Sequence, residues 1–86
     1  MTIDAHVGEA FLTVVRDRAE LHGTPGDLVS LLAMGGAAVG VRTEGLRYPL
    51  SEETLDAGST RGVSNVFEEP DAVVELSAGT LLAVQP

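Results

Sequence analysis

The sequence predicts an all-β fold: a small sandwich or barrel-like domain of about seven short, mostly antiparallel strands. Three observations lead there. Apolar runs of strand length recur along the chain, turn-forming clusters of Gly, Pro, Asp and Ser separate them at regular intervals, and little of the chain reads as helix. The chain has 86 residues, the size of one domain, and is 44% hydrophobic, mostly Val, Leu and Ala, so it can build a core.

Residues 1–8 have little pattern and read as a flexible leader before a β domain at residues 9–86. In residues 9–16, Phe11, Thr13 and Val15 alternate with Ala10, Leu12 and Val14, as in a strand buried on both faces. Extended to His22, the same window also fits an amphipathic helix through Phe11, Val14, Val15 and Arg18. The run Thr13-Val14-Val15 favours the strand, because branching at Cβ costs rotamer freedom in a helix. Asp17-Arg18 then turns into a short strand at residues 19–22. The signal Gly23-Thr24-Pro25-Gly26-Asp27 marks a turn. Residues 28–34 form an apolar strand that Gly35-Gly36 breaks. Residues 37–43 form another, with Ala37, Val39 and Val41 expected on one side, and the Gly36-to-Gly40 spacing suggests a bulge or close backbone approach.

Residues 46–50 are short and extended, since Pro49 holds Tyr48 in the β region and bars this piece from a central strand. Ser51 could cap one helical turn carrying Glu52 and Glu53, ended by Gly58. Residues 62–67 are a strand candidate, Glu68-Glu69-Pro70-Asp71 a turn, and residues 72–76 and 80–84 a hairpin around Ser77-Ala78-Gly79.

Composition narrows the function. Thirteen acidic residues face five basic ones, all Arg, for a net charge of −8. Such a surface repels a phosphate backbone, which argues against a nucleic-acid partner. With no Cys there is no disulfide, thiolate metal site or thiol nucleophile. No apolar run approaches the roughly 20 residues that span a bilayer, and no secretory signal is visible, so no membrane partner and a cytoplasmic location are expected. His6 and His22 lack clustered carboxylates, Glu52-Glu53 with Asp56 suits a helix cap better than Mg²⁺, and no catalytic or metal-ligating set can be argued.

The segment 43–65 is polar and punctuated by glycine between apolar flanks, where a rigid scaffold usually presents a binding surface. It contains the only Tyr, and there is no Trp. Tyr48 offers a flat face for a ring, and Asn65, paired with Ser64, offers an acceptor and two donors in one plane, suited to a heteroaromatic amine beside a ring nitrogen. Composition alone favours the plainer alternative, in which Tyr48 packs as a core or rim aromatic and Asn65 fixes a turn through its own backbone.

Several ordered blocks resemble one family. These are Asp27-Leu28-Val29-Ser30-Leu31-Leu32, the run from Val41 through Arg42-Thr43-Glu44-Gly45-Leu46-Arg47-Tyr48-Pro49-Leu50, Glu53-Thr54-Leu55, Gly58 through Asn65, and the closing Gly79-Thr80-Leu81-Leu82-Ala83-Val84. Together they resemble the C-terminal thiamine-binding domain of thiamine pyrophosphokinases (thiamine diphosphokinases). The resemblance implies an all-β domain that binds thiamine and forms a homodimer. It also implies a full enzyme that moves pyrophosphate from ATP to thiamine, with ATP and Mg²⁺ held by a separate α/β domain. It assigns Tyr48, Ser64 and Asn65 to the thiamine rings, with Thr43 and Arg61 as further neighbours. No counterpart of the α/β domain exists in these residues, so no cofactor is expected in this chain, and the chain alone is expected to be inactive. An all-β homodimerisation module without a ligand is the alternative.

Overall fold

The computed structural model describes the backbone of residues 2–7 and residues 10–86 with their side chains. These residues form nine strands: β1 (Thr2–Val7), β2 (Ala10–Val15), β3 (Arg18–His22), β4 (Leu28–Ala33), β5 (Ala38–Glu44), β6 (Glu53–Leu55), β7 (Asn65–Val66), β8 (Asp71–Glu75) and β9 (Leu81–Gln85). Among the described residues there is no helix, and so none long and apolar enough to cross a membrane. One sheet runs β1-β2-β9-β4-β7 and the other β3-β8-β5-β6. All pairings are antiparallel, as the short-strand pattern predicts.

Both sheets feed one core, by alternation along β3, β4, β8 and β9. β3 turns Ala19 and Leu21 inward, opposite Val74 and Ala72 of β8. β4 contributes Val29 and Leu31, β9 contributes Leu81 and Ala83, and Leu31 lies opposite Ala83. Phe67 is the one aromatic in the core, and its ring lies where a Cβ on Gly23 would come within 3.1 Å. Each fully buried Val, Leu or Phe side chain contributes roughly 1.5–3 kcal/mol relative to exposure.

Five expectations from sequence need correction. The proposed leader at residues 1–8 contains β1, paired with β2 from Thr2↔Val15 to Val7↔Ala10, while Met1 and Gly8 lie outside the described residues. The overlooked signal was the alternation of Ile3, Ala5 and Val7 with Thr2, Asp4 and His6. Ser51 caps no helical turn. Glu52 takes φ 52°, which no helix accommodates, and Glu53–Leu55 pairs with β5 instead. Residues 61–64 form a turn, and only Asn65–Val66 of the expected strand at 62–67 is regular.

The last two corrections concern which way strands face. Ala38, Val41 and Thr43 point inward while Val39 is exposed, because β5 shifts register between Ala38 and Val41. Gly40, at φ 68°, makes that bulge, as its spacing suggested. Finally, β8 and β9 do not form a hairpin. β8 joins the four-stranded sheet and β9 the five-stranded one, and the 76–80 link crosses between them. Only β1–β2 and β5–β6 are consecutive strands that stay in one sheet.

The outer side of the five-stranded sheet is uncharged across its centre. Leu12, Val84 and Ser30 form one cross-strand row, and Val14, Leu82 and Leu32 form the next. All six are half-buried.

The core argument gives a direct expectation. Phe67→Ala removes the only core aromatic and should cost about 3–5 kcal/mol, which a urea titration reads as a large fall in midpoint. A loss under about 1 kcal/mol would show that the ring is not part of the packed interior.

Candidate functional site

The candidate residues collect where the β5–β6 loop crosses β7. Gly45 O accepts from Glu68 N–H (2.9 Å) and Val66 O from Arg47 N–H (2.8 Å), with Leu46 bridged to Phe67 between them. Thr43 closes the base of this loop. Its N–H donates to Leu50 O (3.0 Å), and its Oγ1 accepts from Leu50 N–H (2.9 Å). The loop thus leaves the four-stranded sheet, reaches the edge of the other sheet, and returns.

Asn65 fixes the tip. Its Oδ1 accepts from Tyr48 N–H (3.0 Å) and from Val66 N–H (2.9 Å), and its Nδ2 donates to Tyr48 O (2.8 Å). The residue is 1% exposed. Both backbone groups of Tyr48 are therefore held by one buried amide, which acts on the protein itself. Leaving such groups unpaired would cost about 1–3 kcal/mol each. The Tyr48 side chain stands outward, 59% exposed.

Ser64 is exposed, with φ 58°. Its N–H donates to Ser30 Oγ on β4 (3.0 Å). The turn that carries it lies close against β4: Leu31 N–H donates to Gly62 O (2.9 Å), and a Cβ on Gly62 would meet Leu31 O at 2.6 Å. Only glycine allows that approach. Tyr48 and Ser64 therefore flank Asn65, one through hydrogen bonds and one through the chain.

Thr43 and Arg61 sit apart from this group. Thr43 is buried at the loop base and lines a cleft of about 260 Å³ with Arg42, Pro49 and Glu75. Arg61 points at β6, with Nε at 2.7 Å from Glu53 Oε1 and one terminal nitrogen at 2.8 Å from Oε2. A larger cleft, about 380 Å³, opens between Phe11, Thr13, Leu21 and Gln85, away from the candidate residues. Tyr48 and Ser64 lie on open surface and line neither cleft.

The acidic turn does not suit Mg²⁺. Glu53 is paired with Arg61 and Glu52 with Arg42 (3.4 Å), and among the described residues no cluster of His, Asp and Glu could hold a metal. No step through a metal follows from these residues. Ser30 is the residue that sequence reasoning passed over. The signal was a single hydroxyl in the otherwise apolar run of β4.

The Arg61 guanidinium, hydrogen-bonded to Glu53, holds that carboxyl below its ordinary value of 4.5, and Glu53 raises the Arg61 pKa in return. The folded-state pKa is depressed, so the pair's contribution is complete above 4.5 and is lost as pH falls below it. Melting curves from about pH 6 to about pH 3 should therefore show a steeper acid loss for the native chain than for Glu53→Gln. Parallel curves would mean that the pair contributes nothing linked to protonation.

No curated protein matches the chain. Among solved structures, thiamine pyrophosphokinase from Bacillus subtilis superposes with a TM-score of 0.85 at 15% identity, over 99% of this chain and 41% of that one. Thiamin pyrophosphokinase from Geobacillus thermodenitrificans gives 0.77 at 22% identity, over 88% and 36%. A thiamin pyrophosphokinase family protein from Enterococcus faecalis gives 0.74 at 15% identity, over 88% and 36%. These likenesses establish the shared fold, and the chain spans about two fifths of the length of the proteins it resembles. A family model, "Thiamin pyrophosphokinase, vitamin B1 binding domain", matches residues 14–81, most of the sequence including every candidate residue, and the chain belongs to that family.

Proposed function

We propose that Tyr48 and Ser64 form the thiamine-contacting surface of this vitamin B1 binding domain, and that the domain serves an enzyme transferring pyrophosphate from ATP to thiamine. The observation that carries this reading is the Asn65 clamp, which commits a buried amide to hold an exposed aromatic in place. Thiamine joins an aminopyrimidine to a cationic thiazolium. Stacking on the phenol ring supplies about 1–3 kcal/mol, and a cation over its face supplies about 0.5–2 kcal/mol. Among the described residues Ser64 Oγ has no hydrogen-bond partner, so it can donate or accept. The chain's net charge of −8 favours a cationic ligand in a general way. Asn65 acts by shaping the site. Thr43 supports it from the loop base, and Arg61 from its pairing with β6. Nucleotide and Mg²⁺ chemistry belong to a part of the enzyme outside these 86 residues.

Tyr48→Ala should weaken thiamine binding in calorimetric titration by about 5- to 100-fold, the loss of one stacked ring, with little change in melting temperature because the side chain is exposed. Tyr48→Phe should retain most of the affinity. An alanine variant that binds as tightly as the native chain would remove Tyr48 from the site.

The reading includes a homodimer through the outer side of the five-stranded sheet. Two acidic chains repel over most of their surface, whereas the rows Leu12-Val84-Ser30 and Val14-Leu82-Leu32 carry no charge. Paired about a twofold axis, such a face meets itself without unpaired charge. Ser30 belongs to this face and also bonds the Ser64 turn, so the ligand surface borders the dimer contact. Leu82→Glu should convert the dimer to a folded monomer in sedimentation analysis. A native chain that sediments as a monomer, or a Leu82→Glu variant that stays dimeric, would end the claim. A dimer that binds no thiamine would favour the ligand-free assembly module.

A further inference from the structure

Ser64 stands in backbone geometry that penalises every residue carrying a Cβ. The same segment uses glycine for such a position at Gly58, φ 83°. A serine here keeps a hydroxyl on an exposed turn at an energetic cost, and among the described residues that hydroxyl has no hydrogen-bond partner. Three contacts hold the turn. Before Ser64, Gly62 O accepts from Leu31 N–H of β4 (2.9 Å). After Ser64, Asn65 is buried opposite Val29 of β4. At Ser64 itself, the N–H donates to Ser30 Oγ, 3.0 Å away. Ser30 is the only polar side chain of β4, on the outer side between the buried Val29 and Leu31.

We propose that Ser30 is a positioning residue for ligand recognition: by accepting the Ser64 N–H it holds the left-handed turn that aims the Ser64 hydroxyl at the ligand bound on Tyr48. The identity of that ligand rests on the function proposed above, while the hold on the turn does not. The two anchors divide the work. Asn65 sets the ring through the Tyr48 backbone, and Ser30 sets the hydroxyl through the Ser64 backbone. They come from different strands of one sheet, so the spacing between ring and hydroxyl is fixed before any ligand arrives, which lowers the ordering cost of binding.

Three variants separate this from a purely structural role. Ser30→Ala removes the acceptor. Ser30→Thr restores it with a residue that suits a strand. Ser64→Gly keeps the turn, since glycine adopts it freely, and deletes only the hydroxyl. Thiamine titration should show affinity falling about two- to tenfold in Ser30→Ala and in Ser64→Gly, the effect of one hydrogen bond, with Ser30→Thr near the native value. Without ligand, the NMR backbone coupling and amide exchange of Ser64 should change in Ser30→Ala and return in Ser30→Thr. A Ser30→Ala variant with an unchanged Ser64 signal, or with native thiamine affinity despite a changed signal, overturns the proposal. If the native chain binds no thiamine, the function proposed above falls and takes the ligand half of this inference with it. The ligand-free spectra then decide the hold on the turn by themselves.

Discussion

A single buried carboxamide joins the two sheets at the end of the molecule where the candidate residues lie. Asn65 belongs to β7, the edge of the five-stranded sheet, and its side chain holds the backbone of Tyr48, which belongs to a loop from the four-stranded sheet. The Leu46–Phe67 bridge and the Arg47–Val66 bond run alongside it, so the loop lies on β7 almost as an added strand. A buried amide in an apolar interior is costly unless its polar groups are met. Here both ends are met by backbone that would otherwise go unpaired, so the contact stabilises the loop and specifies a single position for it.

That lacing matters because the connections are mostly crossings. Chain segments repeatedly leave one sheet for the other, and neither sheet could form from neighbouring hairpins alone. The core of small aliphatic residues, with Phe67 against Gly23, holds the inner faces together. Phe67 lies two residues beyond Asn65, so the same short stretch supplies the core aromatic and the clamp. Rigidity at the candidate surface is therefore inherited from the interior: Tyr48 is exposed, but the backbone beneath it is fixed from inside.

The division between what could be read early and what could not follows local against non-local physics. The strand at 10–15 was legible because Thr13, Val14 and Val15 are branched and alternate with the core. The bulge at Gly40 was legible as a glycine inside a strand. The helical turn at 51–55 was misread because a cap residue followed by acids is a local preference, and pairing with β5 overrode it. The supposed β8–β9 hairpin had the right turn residues, yet sheet membership depends on which inner face completes the core. No turn chemistry encodes that choice. Ser30 escaped notice for the same reason: its partner is 34 residues away.

By itself the sequence determined that this is an all-β domain, with its strand-length apolar runs, its glycine turns and an acidic surface, and its ordered blocks marked the family. It also singled out Tyr48, Ser64 and Asn65 as residues whose chemistry suits a heteroaromatic ligand. Only the tertiary structure decided what each one does. Hydrogen-bonding capacity belongs to the residue type, but which atoms meet it depends on chain segments brought together by the crossing of the two sheets. Asn65 thus became an internal clamp, Arg61 a partner of Glu53, Thr43 a support at the loop base, and Tyr48 and Ser64 the groups left facing outward.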